Sequence, residues 1–324
     1  MSDILQGEGL VGLTEVEAAA RRLAGVAVRT PLLPADVVSE IAGANVRLKC
    51  ESLQRAGSFK IRGAYNFVSQ LSDEQVASGI ITYSSGNHAQ AVALSGKLRG
   101  VRAVVVMPTT APKVKRDGAE RLGAEVIYEG TTSLERRAKA EEIAEEQGLV
   151  IVPPFDHRHI IAGQGTVGLE IAREWPDVDL VLAPIGGGGL ASGVAASIKR
   201  LLPAARVIGV EPEGAASMRK ALDEERPVVI KKIDTIADGL APVMAGELTY
   251  EHAFSLMDDV VTVSDDAIRE ATSLLVSKQK LIVEFSGAAA TAALLSKAVE
   301  AEDQRVAVVI SGGNLDPTLL AGMA

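Results

Sequence analysis

The sequence predicts an α/β protein built on parallel sheets, and three observations carry the prediction. Short β-branched runs alternate with Ala-rich or amphipathic stretches along most of the 324 residues, no fixed-period repeat or Pro-rich linker interrupts them, and a 47% hydrophobic content supplies a sizeable core. In chain order the strand runs read "NVRLKC", "GIITYS", "VRAVVVM", "AEVIYE", "LVIVPP", "DLVLAPI", "RVIGVE" and "VAVVIS". Each is separated from the next by a helical pattern, as crossovers between parallel strands require. The stretch 72–150 places "HAQAVALSGKLRG" and "APKVKRDGAERLG" between its strands and stops before Pro153 and Pro154. It reads as a smaller lobe inserted into a larger one formed by 1–71 and 151–324.

Composition narrows the function classes. A formal net charge of −9 argues against a polyanion-binding surface, so no nucleic-acid partner is expected. Arg136, Arg137 and Lys139 are followed by Glu141, Glu142, Glu145 and Glu146 and read as a solvated helix face. Cys50 is the only cysteine, which excludes an intrachain disulfide and a cysteine-built zinc site and suits a buried small hydrophobe in a reducing compartment. "MSDILQGEGLVGL" lacks the basic and apolar regions of a leader, while "LIVEFSGAAATAALL" is too short for a bilayer and is interrupted by Glu284. The expectation is a cytoplasmic protein without membrane contact.

In α/β folds ligands bind beyond the carboxyl ends of strands, which selects the loops "SSGNHAQ", "GGGGLASG" and "SGGNLD". Gly186 to Gly189 lead from a strand into the helix "ASGVAASIKRLL", where free N–H groups and the positive end of the helix dipole suit a phosphate. Gly186, Gly188 and Ala191 also fit a relaxed dinucleotide fingerprint, with Glu211 placed as a ribose partner, so a nicotinamide-dependent dehydrogenase is an alternative. Lys60 stands on the apolar face of a helix start that includes Ala64, Phe67 and Leu71, with Ser58 expected as the N-cap. There the dipole and burial both lower a lysine pKa, which suits a Schiff-base nucleophile; the ordinary alternative is a lysine that snorkels to water or pairs with an acid. Ser84, Ser85, Asn87 and His88 offer one turn for a carboxylate or ring hydroxyl, and Ser311 ends a strand where its hydroxyl can meet a ring nitrogen. His157 and His159 lack ligand spacing and read as surface loop residues, and Trp175 as a helix-end packing residue.

In chain order, "SFKIRGA", "SSGNHAQ", "AGQGTVGLEI", "GGGGL", "TIADGLA" and "SGGN" resemble the fold type II enzymes dependent on pyridoxal 5′-phosphate, specifically the threonine dehydratase and serine racemase group. The resemblance implies a two-lobed architecture like the tryptophan synthase β subunit, with a large cofactor-binding domain at 1–71 and 151–324 and a small mobile domain at 72–150. It implies that Lys60 forms the imine with the cofactor, Phe59 packs beside it, Asn87 meets the ring hydroxyl, Gly186, Gly187, Gly188, Gly189 and Leu190 cradle the phosphate, and Ser311 faces the pyridine nitrogen. A neutral hydroxyl there leaves the ring a milder electron sink, favouring prompt β-elimination. The implied reaction is dehydration and deamination of L-threonine to 2-oxobutanoate and ammonia, or of L-serine to pyruvate and ammonia. Lys60 acts as base, and the substrate carboxylate lies on the Ser84–His88 turn.

Two features pull apart within the group. Ser85 resembles the serine racemases and hydroxyaspartate dehydratases and is a candidate second acid or base opposite Lys60, so serine racemase or 3-hydroxyaspartate dehydratase activity is the near alternative. The racemase-like cation site would fall on Glu211, Ala215 and Ser217, where Ser217 replaces a carboxylate and weakens any Mg²⁺ site. A strand-end acid in solvent is the other reading of Glu211. Feedback inhibition through a regulatory domain is not expected, a homodimer is expected from the family, and a non-catalytic amino-acid sensor is a more distant alternative.

Overall fold

The computed structural model describes residues 9–84, 86–111 and 113–322. Among these, ten strands form two sheets. β1 (Leu32–Pro34), β2 (Asn45–Cys50), β7 (Leu180–Pro184), β8 (Arg206–Pro212), β9 (Asp259–Val263) and β10 (Arg305–Ile310) make a six-stranded sheet of order β1-β2-β10-β7-β8-β9. β3 (Ile80–Tyr83), β4 (Ala103–Met107), β5 (Glu125–Tyr128) and β6 (Val150–Ile151) make a four-stranded sheet of order β5-β4-β3-β6. Every pairing is parallel except the antiparallel β1–β2 edge.

Helices cover both faces of the larger sheet, so its strands are apolar on both sides. Leu180 and Leu182 of β7 point into one core with Leu48, Ile208 and Val308, while Val181 and Ala183 point into the other with Val207 and Val309. Cys50 is fully buried in the first core, as expected. The apolar run near the C-terminus is the helix Phe285–Leu295, buried from Ser286 to Leu294 against the sheet. No helix among the described residues is long and apolar enough to cross a membrane.

Two strands escaped the sequence reading. β1 has three residues and carries Pro34, and β9 is an edge strand with a mixed burial pattern, so neither offers a continuous apolar run.

The "AGQGTVGLEI" motif lies in the helix Arg158–Glu174, which packs between the helices Lys60–Val68 and Gly189–Leu201. A Cβ on Gly163 would stand 2.5 Å from the Arg62 carbonyl, and one on Gly193 would stand 2.4 Å from the Gly165 nitrogen. These glycines let three helices approach nearly backbone to backbone, which seats Lys60 and the glycine loop beside one cavity.

Candidate active site

The cavity holds about 620 Å³, within the usual range for a small-molecule site. Phe59, Lys60, Ser84, Asn87, His88, Gly186 to Leu190 and Ser311 all line it. Ser85 lies outside the described residues.

Lys60 is the first residue of its helix, but Ser58 is not the cap. Ser58 is extended and bridges antiparallel to Gly312, and Phe59 occupies the N-cap position without a side-chain bond. The reason is a competing pairing: the Phe59 N–H donates to the Ser311 carbonyl at 3.1 Å and the Gly313 N–H to the Gly57 carbonyl at 2.8 Å. Strand-like bonds to the "SGGN" loop therefore hold the lysine segment, and the Ser58 hydroxyl is left buried without a partner among the described residues.

The Lys60 ammonium donates to the Pro154 carbonyl at 2.8 Å, and among the described residues no carboxylate pairs with it. Burial alone pulls its pKa from 10.5 down to about 8. Between these values the unfolded chain binds more protons at this group than the folded one. Holding Lys60 therefore costs stability fully below pH 8, and the cost fades as pH rises to 10.5. In cofactor-free protein, the rate of imine formation at Lys60 should rise about tenfold per pH unit and level off near pH 8. A stopped-flow pH profile of pyridoxal phosphate uptake checks this, and an inflection at the ordinary lysine value would contradict it.

His88 is buried and neutral. Its Nε2–H donates to the Val152 carbonyl at 3.2 Å, and burial, then Lys60, push its pKa down to about 3. It therefore brings no positive charge to a substrate carboxylate. Ser84 folds the turn by accepting the Gly86 N–H at 3.1 Å.

The glycine loop opens the helix Gly189–Leu201, whose N-cap, Gly188, has φ +96 and makes no side-chain cap bond. A Cβ on Gly187 would stand 2.2 Å from the Phe155 ring, and one on Gly188 would stand 2.7 Å from Thr249 Cβ. Only glycine fits, and the first-turn N–H groups are left for an anion. Ser311 has one long contact, 3.4 Å to the Ser286 carbonyl, so its hydroxyl is free to turn toward a ligand.

Several partners of the candidate residues were not legible in the sequence. Asn87 donates to Glu284 Oε1 at 2.5 Å and accepts from Asn314 at 2.9 Å. Glu284 caps the helix Phe285–Leu295 by position, and Lys115 bridges it at 3.3 Å to Asp238 at 2.6 Å. Burial pushes the Glu284 carboxyl up, against the pull of Lys115. Arg62, two residues after Lys60, is 1% exposed and makes bidentate pairs with Glu51 and with Glu170, which also takes Lys49 at 2.6 Å. Burial pushes Glu51 up, yet Arg62, Lys49 and Thr30 outweigh it and hold the carboxyl below its ordinary range.

Three expectations need correction. Arg137 and Lys139 do form exposed pairs with Glu141 and Glu142, but Arg136 turns inward and lines the cavity, its Nε without a partner among the described residues. Position on the helix Ser133–Gln147 decides this, because its inner face is the one packed on the smaller sheet. His159 lies in the helix Arg158–Glu174 rather than in a loop, while His157 is the loop residue that caps it by accepting the His159 N–H at 3.0 Å, and both rings stack edge-on with Phe67. Glu211 is buried rather than solvated. Its carboxylate accepts the Met218 and Arg219 N–H groups at 2.8 and 2.7 Å, and burial pushes it up to about 7 against those bonds. Neither Glu211 nor Ala215 lines the cavity, and among the described residues no group of three or more His, Cys, Asp or Glu side chains is placed to hold a metal ion. Trp175 does close the helix, with Arg47 4.1 Å above its ring.

A half-buried lysine amine, an anion cradle that admits no Cβ, an amide and a lightly held hydroxyl facing one cavity define a cofactor enzyme of the pyridoxal phosphate type. The sequence profile described as "pyridoxal-phosphate dependent enzyme" matches residues 23–312, and the chain belongs to that family. It is 42% identical over 311 residues to an L-threonine ammonia-lyase of Thermotoga maritima, covering 96% of this chain and 77% of that protein. Among solved structures, maize serine racemase superposes with a TM-score of 0.93 at 37% identity, covering 96% of each chain. The processed form of threonine deaminase isoform 2 from Solanum lycopersicum superposes at 0.89 with 40% identity, covering 96% of this chain and 86% of that one.

Proposed function

We propose that this chain is an L-threonine and L-serine ammonia-lyase, releasing 2-oxobutanoate or pyruvate together with ammonia. The observation that carries the reading is Lys60: an amine without a carboxylate partner, brought near pH 8 by burial, in the same cavity as the glycine cradle. The relatives named for threonine deamination support the substrate class.

When bound, pyridoxal phosphate supplies an aldehyde for an amino group and a ring that draws electrons from the α-carbon. The first-turn N–H groups after Gly186–Gly189 hold its phosphate, an N–H of Asn87 its ring hydroxyl, and the Ser311 hydroxyl its ring nitrogen. Ser311 donates or accepts one hydrogen bond and carries no charge, so the chain does not fix a proton on that nitrogen as a carboxylate would. Lys60 would be the residue that holds the cofactor, and its free amine would take the α-proton, a task for which a base titrating near 8 is well matched. The Ser84–Asn87 turn orients the substrate carboxylate, and Arg136 supplies positive charge that draws the anion in, since Lys115 is already matched by Glu284 and Asp238.

The likeness to maize serine racemase favours a second reading on the same site, in which Ser85 returns a proton from the face opposite Lys60. One assay separates the two. L-threonine, L- and D-serine and 3-hydroxyaspartate are offered with and without Mg²⁺, and both 2-oxo acid and inverted amino acid are scored. Ammonia release from L-threonine, with 2-oxo acid exceeding inverted product from L-serine, is the expected result. D-serine formed faster than pyruvate would establish the racemase instead.

A further inference from the structure

We propose that Asn314, the last residue of "SGGN", is a positioning residue that locks the amide of Asn87 so that it presents an N–H, and not its carbonyl, to the cofactor ring. The fixed point is the Ala56 carbonyl, which can only accept. Asn314 Nδ2 donates to it at 2.9 Å, across 258 positions of sequence. The same nitrogen lies 2.9 Å from the Asn87 side-chain oxygen and spends its second hydrogen there. The Asn87 oxygen is thereby turned to Asn314 and its nitrogen to the opposite side, where one N–H goes to the Glu284 carboxylate. Lys115, itself pinned by Asp238 at 2.6 Å, stands 3.3 Å from the other oxygen of that carboxylate. The second N–H of Asn87 has no partner among the described residues, and Asn87 lines the cavity.

Packing holds the Asn314 amide in place, and the Ala56 carbonyl decides which end is its nitrogen. A Cβ on Gly57, whose φ is +73, would stand 2.3 Å from the Asn314 oxygen, so this glycine makes the slot that holds the amide. Gly312 does the same for Glu284, whose Oε1 a Cβ would approach to 2.1 Å. A donor at Asn87 stabilises an ionised ring hydroxyl, whereas a carbonyl turned that way repels it. The inference rests on Asn87 meeting the ring, as proposed above.

The test titrates cofactor-free protein with pyridoxal phosphate, following visible absorbance and the fluorescence of Trp175, in the parent, Asn314→Asp, Asn87→Ala and the double variant. Asn314→Asp keeps the shape but turns the donor into an acceptor facing two oxygens. It should raise the dissociation constant about tenfold and shift the visible band, and it should do neither once Asn87 is alanine. Parent affinity and band in Asn314→Asp, or the same penalty persisting without Asn87, overturns the inference. Parent behaviour in Asn87→Ala removes Asn87 from the ring and the inference with it. If Asn314→Asp does not fold by circular dichroism, Asn314→Ser enters the same cycle, with a rise of about threefold expected and again none in the Asn87→Ala background.

Discussion

Replacing Lys60 with alanine is expected to lower ammonia release from L-threonine by at least about 10⁴-fold and to abolish the visible absorbance of lysine-bound cofactor, because one side chain supplies both nucleophile and base. Thermal stability should not fall with it. The buried amine is a net cost to the fold below pH 8, and its one bond is to the Pro154 carbonyl. Ammonia release and an absorbance spectrum on the same preparation check both halves. Full-rate turnover by Lys60→Ala protein would remove Lys60 from the chemistry.

Arg62→Ala is expected to cause the largest loss of stability, about 3–5 kcal/mol, because it strands buried carboxylates rather than because the ion pairs themselves are strong. Glu51 is fully buried, and Arg62 gives it two bonds of 2.8 Å. For a chain of this size the midpoint of thermal unfolding should drop by roughly 4–7 °C. Arg62→Lys should recover only part of this, since an ammonium cannot form two bidentate pairs at once. Scanning calorimetry of cofactor-free protein is the measurement, and an unchanged midpoint in Arg62→Ala would mean the network contributes nothing.

The parts of this molecule that could be read from sequence are those encoded locally. Strand, glycine loop and helix follow one another within a dozen residues, so eight of the strands and the three cavity loops were visible as punctuation. What stayed hidden depends on partners far along the chain. Arg62 reads as one more cation until Glu51 and Glu170 are seen around it, and Asn314 reads as a turn residue until Ala56 and Asn87 are found beside it. Ser58 was misjudged for the same reason: the capping preference is a local rule, and a pairing with Gly312 overrode it. Arg136 shared its composition with Arg137, and only the angle around the helix separated the inward cation from the solvated one.

The place of β10 bears on how the protein is made. It is a late strand in sequence, yet it lies between β2 and β7, and its continuation pairs with the segment that carries Lys60. On the ribosome the lysine emerges early and must wait, with β2 lacking its inner neighbour, until residues 305–313 leave the exit tunnel. The smaller sheet, whose strands are complete by Ile151, has no such delay. Nascent chains of this enzyme would therefore carry a finished small sheet beside an open larger one. Capture of pyridoxal phosphate then becomes a report that residues 305–313 have reached β2 and the lysine segment.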